Sequence, residues 1–389
     1  MNQSREKERE HSLKKSLLLY KTKQLKSIYI LMGVVLLLVL FLLFRSSEDT
    51  ESFWVQMSMD DMASQSMLKP VFLSGMYEIM QVFDLFFYVL AFVLAFSLFQ
   101  EFTDRSKLTL FRSLPYTRKQ IFGSWFVLGA VPLAAGYVVM AAATGIKFLL
   151  CHSTWYAKYL NTNFFLDYLK VDTLGNTWMM ILQDFIVCMA IYALGVFARV
   201  VMNHFFSAGL VFVGILSAPY MIFWNIFQYL MYKGVDISRL ESVLDLVRYS
   251  SVSLLHSGEI GQEGSILLRN IAYQYRALDQ GYALGAYEPG IILLWLAFAA
   301  LFTILAYRMA TGEYSGARLG KTVVFENIFI VCTGLYFALL VLWTNIALEH
   351  PAKYSIIVMV IIFAVVEWLM LRRFKGKGRY DALNTWQGK

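Results

Sequence analysis

The run from Ile28 to Phe44 contains no charged residue and is almost wholly apolar. A helix rises about 1.5 Å per residue, so such a run is long enough to cross the hydrocarbon of a bilayer, about 30 Å thick. It is not alone. Seven further stretches are as long and predominantly apolar, five of them with a single charged residue: Met80 to Phe99, Ile121 to Leu149, Trp178 to Phe197, Phe205 to Met231, Gly290 to Tyr307, Val323 to Leu348 and Tyr354 to Leu371. Composition agrees, with 58% hydrophobic and only 16% charged residues, too little polar surface for a soluble chain of 389 residues. The runs are continuous rather than alternating, which excludes a β-barrel. The expected fold is all-α: a polytopic membrane protein of about eight transmembrane helices, an even number that places both termini on one side.

The distribution of positive charge chooses that side. Of the 34 Lys and Arg, 23 fall in the two terminal segments and the short loops that would share a side with them. That asymmetry marks the cytoplasmic face. The net charge of +7 is therefore read as topology, and no nucleic acid partner is expected. Acidic residues such as Glu48, Asp49, Glu51, Asp60 and Asp61 collect in an outer loop. The segment before the first run lacks a small-residue cleavage pattern and is not a removable signal peptide.

Residues 1–27 place Leu13, Leu17, Tyr20 and Leu25 near helical spacing among many Lys, the pattern of an amphipathic helix lying on the membrane surface. Residues 28–231 hold helices one to five, interrupted by a cytoplasmic segment at 101–120. There Thr103 or Asp104 can cap a short helix that presents Leu108, Phe111 and Leu114 on one side and stops at Pro115. Residues 232–289 form the long extracellular segment, where Ser238 and Glu241 make a capping box ahead of Leu240, Val243, Leu244 and Val247. Residues 290–371 hold helices six to eight, and 372–389 form a basic cytoplasmic tail.

Enzymatic and metal-binding patterns are missing from the sequence. The five His stand in different connections, with no HExxH and no GxSxG, and Cys151, Cys188 and Cys332 are far apart. Gly320-Lys321-Thr322 resembles the end of a phosphate-binding loop, but Ser315 stands where that loop needs Gly and no strand precedes it. No catalysis, no metal and no cofactor are expected in this chain.

Polar residues inside the spans are the informative exceptions, because an Asp near a helix centre costs about 2.5 to 3.5 kcal/mol on insertion scales. Asp84 in the second span and Gln183 and Asp184 in the fourth lie toward the outer ends, with Asp184, Cys188 and Ile191 on one face. They are candidates for a polar substrate path opening outward, and interhelical hydrogen bonding is the competing reading. Glu326 and Glu367 lie near inner ends, Glu367 close to Arg372 and Arg373. Gly129, Pro132 and Gly136 share roughly one face of the third span, a packing or hinge element.

Thr103-Asp104-Arg105-Ser106-Lys107, followed by Leu114-Pro115-Tyr116-Thr117-Arg118-Lys119-Gln120-Ile121-Phe122, resembles the link between helices two and three in bacterial ABC-transporter permeases of the type-2 exporter class. A second similarity covers Tyr307-Arg308 to Gly316, where Glu313 and Gly316 sit as in an eight-helix subgroup from Gram-positive bacteria. The resemblance implies a multi-pass permease subunit of the bacterial plasma membrane, paired with a second permease subunit. It implies export driven by ABC ATPase subunits that carry the ATP and Mg. By the same resemblance Asp104, Arg105, Lys107, Leu108, Phe111, Leu114 and Pro115 couple to the ATPase, with Arg308, Glu313 and Gly316 in a second cytoplasmic loop. The substrate would be an antimicrobial or lipid-like compound. Two other classes stay open: a proton-driven secondary transporter using Asp84 and Asp184, and a membrane sensor or scaffold whose extracellular segment binds ligand.

Overall fold

A computed structural model describes residues 19, 21–45, 71–102, 117–159, 174–202, 204–216, 288–310, 332–334, 361, 364–365 and 368. These are almost entirely helical. The long helices are α1 (Lys26–Arg45), α2 (Val71–Phe99), α3 (Arg118–Tyr159), α4 (Leu174–Val201) and α6 (Glu288–Ala310), with the shorter α5 (Phe205–Leu216) between the last two. Five of them are long and apolar enough to cross a membrane, so the chain is a polytopic, helical membrane protein. The expected seventh and eighth spans, and most of the fifth, lie outside the described residues apart from α5, 332–334 and four single positions.

Two helices outrun their apolar runs. α2 begins at Val71, well before Met80, because Ser74, Gly75 and Glu78 lower the hydropathy there without breaking the helix. α3 continues past Leu149 to Tyr159. At 1.5 Å per residue its length is about 63 Å, roughly twice the hydrocarbon thickness, so its polar end projects beyond the membrane. The start of α3 is fixed locally. Thr117 Oγ1 accepts from the Gln120 backbone N–H at 3.3 Å, and Gln120 Oε1 accepts from the Thr117 N–H at 3.0 Å. This reciprocal capping box satisfies two amides.

The chain divides into two compact units. The first takes residues 1–94, 124–192 and 256–297. In it one stripe of the N-terminal region is buried: Lys21, Leu25, Met32, Val35, Val39 and Leu43 recur at three-, four- and seven-residue steps. Lys21 lies with its ammonium 4.5 Å from the centre of the Trp125 ring and donates to Gln24 Oε1 at 2.9 Å. The other end of α1 is capped by a cation, the buried Lys147 of α3, whose Nζ donates to the Leu43 carbonyl at 2.6 Å. A positive charge there meets both an orphan carbonyl and the negative end of the helix dipole.

The second unit takes residues 95–123, 193–255 and 298–389. Its described core is aromatic. Phe99, Phe102, Phe122 and Tyr307 form a chain of ring contacts with centroids 5.2 to 6.1 Å apart. Phe302 joins Phe197 and Phe298 at 5.0 and 4.5 Å. At the end of α4 the buried Arg199 donates from Nη1 to the Met202 carbonyl at 3.2 Å, a C-terminal cap of the same kind as Lys147.

Candidate functional site

The membrane-embedded acids meet in the first unit. Asp84 of α2 is buried, and the Tyr137 hydroxyl of α3 donates to its Oδ1 at 2.9 Å. The half-buried Asp184 of α4 lies near Asp84. Three helices thus place one polar group each at a common point. Because α2 begins at Val71, Asp84 stands about 20 Å along it, near the outer end of the apolar stretch.

The surroundings are apolar and close-packed. Phe83 stacks on Phe87 at 4.1 Å, both meet Tyr137 edge-on at 5.0 and 5.6 Å, and Phe185 flanks Tyr137 at 5.6 Å. The buried Cys188 points its thiol at the Phe87 carbonyl, 3.8 Å away. Tyr88 also stands close enough to feel both carboxyls. The rings hold Tyr137 in one orientation, which is what lets its single hydroxyl serve Asp84.

The chemistry follows from donor counting. A carboxyl group in a low-dielectric setting needs donors, and the Tyr137 hydroxyl replaces part of the solvation that Asp84 gave up. The bond ties α2 to α3, with Asp184 of α4 close by. Among the described residues no group of three or more His, Cys, Asp and Glu could hold a metal ion.

Of the other sequence candidates, Gln183 is buried beside Asp184, and Arg308 is exposed in the last turn of α6. Asp104, Arg105, Lys107, Leu108, Phe111, Leu114, Pro115, Glu313 and Gly316 lie outside the described residues, as do Glu326, Glu367 and the extracellular capping box at Ser238. The sequence reading passed over Tyr137 because a tyrosine in an apolar run reads as an interfacial anchor. The available signal was indirect: a buried carboxyl demands a donor from a neighbouring span, and Tyr137 follows Gly136, a small residue of the kind that lets helices approach closely. Gly136 is occupied in space by the Phe87 ring, which comes so near that no Cβ fits, and Gly129 meets the Tyr192 hydroxyl in the same way.

No known family model, curated protein or solved structure matches the chain.

Proposed function

We propose that this chain is the permease subunit of an ATP-driven exporter of the type-2 ABC class. In that reading both termini are cytoplasmic, eight helices span the membrane and 232–289 is extracellular. What carries it is the segment from Thr103 to Phe122. Its Leu-Pro-x-x-Arg sequence overlaps the Thr117–Gln120 capping box that opens α3. A cytoplasmic segment that leads in sequence straight into a capped membrane helix is suited to passing a pull from outside the bilayer into it. Closure of two ATPase subunits on ATP would draw on Asp104 to Pro115 in each of two permease subunits and move α2 and α3. Chemistry stays with the ATPase.

Co-purification with a candidate ABC ATPase tests this. Phe111, with Leu108 and Leu114, would enter an apolar groove on the ATPase, and a buried hot-spot anchor is worth about 2 kcal/mol or more. Phe111→Ala is therefore expected to weaken docking about thirtyfold. Charge changes at Arg105 or Lys107 should act on association rate and salt dependence. Full affinity and coupling after replacement of Phe111, Leu108 and Leu114 together would exclude the reading. Topology has its own test: an impermeant thiol reagent on intact cells should label a cysteine placed at Ser257 and spare one at Ser106.

A second reading, a carrier driven by protons, draws support from the Asp84, Asp184 and Tyr137 cluster. It differs in its energy source. Transport by purified protein in ATP-free vesicles under a proton gradient, abolished by Asp84→Asn, would select it over the exporter.

A further inference from the structure

Pro132 lies inside α3. Proline has no N–H, so the carbonyl four residues before it, that of Leu128, loses its intrahelical donor. In hydrocarbon such an orphan group costs several kcal/mol, and membrane helices carry proline only where something else satisfies it. Here the donor is identified: the hydroxyl of Tyr29 in α1 donates to the Leu128 carbonyl at 3.2 Å. On the turn before, the Tyr192 hydroxyl of α4 donates to the Phe126 carbonyl at 3.2 Å and reaches that of Trp125 at 3.5 Å, lying against the bare Cα of Gly129. On the turn after, Gly136 admits the Phe87 ring of α2.

We propose that Trp125 to Gly136 is a latched hinge, in which the Tyr29 hydroxyl supplies the hydrogen bond that Pro132 withholds and the Tyr192 hydroxyl clamps the preceding turn. α3 is weakest at this proline, because there its ladder lacks a bond. The replacement bond comes from a side chain on another helix. It can be broken by moving α1 or swinging one tyrosine side chain to another χ1 rotamer, whereas a backbone bond breaks only by unwinding the helix. The latched state fixes the angle between the arms of α3 on either side of Pro132. The released state frees the arm that begins at Arg118. The hinge stands on these contacts alone; that an ATPase pulls this arm rests on the proposed function.

The discriminating experiment is a double-mutant cycle in the full chain, with Tyr29→Phe and Pro132→Ala alone and together. Alanine restores the N–H at 132, so Leu128 no longer needs Tyr29. Tyr29→Phe is expected to lower the melting temperature in detergent by about 2 °C in the wild-type background and to leave it unchanged in the Pro132→Ala background. Spin labels on cysteines at the exposed Val127 and Leu149, about 33 Å apart along α3, report the bend in a chain lacking its native cysteines. Tyr29→Phe should broaden their distance distribution, and only when Pro132 is present. Equal effects in both backgrounds, or none in either, would overturn the latch. Misfolding of Tyr29→Phe that Pro132→Ala rescues supports it, and misfolding that it fails to rescue counts against it. Because neither readout involves ATP, failure here leaves the exporter reading to its own docking test.

Discussion

α1 and α4 both look like transmembrane helices, yet they stand in opposite environments. α1 has no charge between Lys26 and Arg45, and it buries only Met32, Val35, Val39 and Leu43. Ile30, Leu31, Val34, Leu37, Leu38, Phe41, Leu42 and Phe44 are exposed. α4 carries Gln183, Asp184, Cys188 and Arg199, and from Ile186 to Val201 all but Met189 are buried. The purer hydrophobic sequence leaves most of its side chains exposed, and the more polar one is buried in protein. Lipid is as apolar as leucine, so burying leucine against protein gains little in a membrane, while a polar group gains a great deal by finding a partner. Polarity, within a span, marks the centre.

The contrast is broken most forcefully where α3 meets α4. At Gly129 any side chain would occupy the space of the Tyr192 phenol, which is itself fixed by two carbonyls and a ring contact with Phe126 at 5.2 Å. Gly129→Leu should cost about 3 kcal/mol or more and abolish monodisperse protein in detergent. Gly33→Leu on α1, where nothing lies within 4 Å of the added Cβ, should purify as the wild type does. Similar behaviour of the two would mean that α4 is no more central than α1.

The next effect in size belongs to the acid pair. Asp84→Leu leaves the Tyr137 hydroxyl without its acceptor, and a buried polar group so stranded costs about 1 to 3 kcal/mol. Asp84→Asn keeps an acceptor for Tyr137, so it should retain most of the stability. Melting curves of the two variants separate these outcomes, and a leucine variant as stable as the asparagine one would remove the pair from the account.

The sequence made the class of fold plain because the signal for a membrane span is long and redundant: losing two or three residues from the run at Ile28 would not hide it. It also singled out Asp84, Asp184 and the Gly129, Pro132, Gly136 face, since each breaks the rule of its surroundings. What it could not supply was partners. Tyr29, Tyr137, Tyr192 and Lys147 are ordinary residues for a membrane protein. Their roles arise only when α1, α2, α3 and α4 bring a hydroxyl or an ammonium within 3.5 Å of an acceptor on another helix. Helix ends were misjudged for a related reason. Hydropathy reports where lipid begins, whereas the helix at Val71 and at Tyr159 is carried on by backbone bonding past that point.

The smallest predicted effect is the most diagnostic of the comparison. Leu37 on α1 is 68% exposed and Leu194 on α4 is fully buried. In a soluble core both truncations to alanine would lose transfer energy, but in a bilayer the unfolded helix still lies in hydrocarbon, so only lost packing counts. Leu194→Ala leaves a cavity among fixed neighbours and should cost about 1 to 2 kcal/mol in reversible unfolding from mixed micelles. Leu37→Ala gives its place to a lipid tail and should change stability by less than about 0.5 kcal/mol. The comparison turns on this second number. A cost above about 1 kcal/mol at Leu37 would mean that protein rather than lipid covers the outer face of α1. In the proposed exporter the first protein to look for there is the second permease subunit. Dilution would then decide, because stability lent by a partner falls with concentration and stability lent by lipid does not.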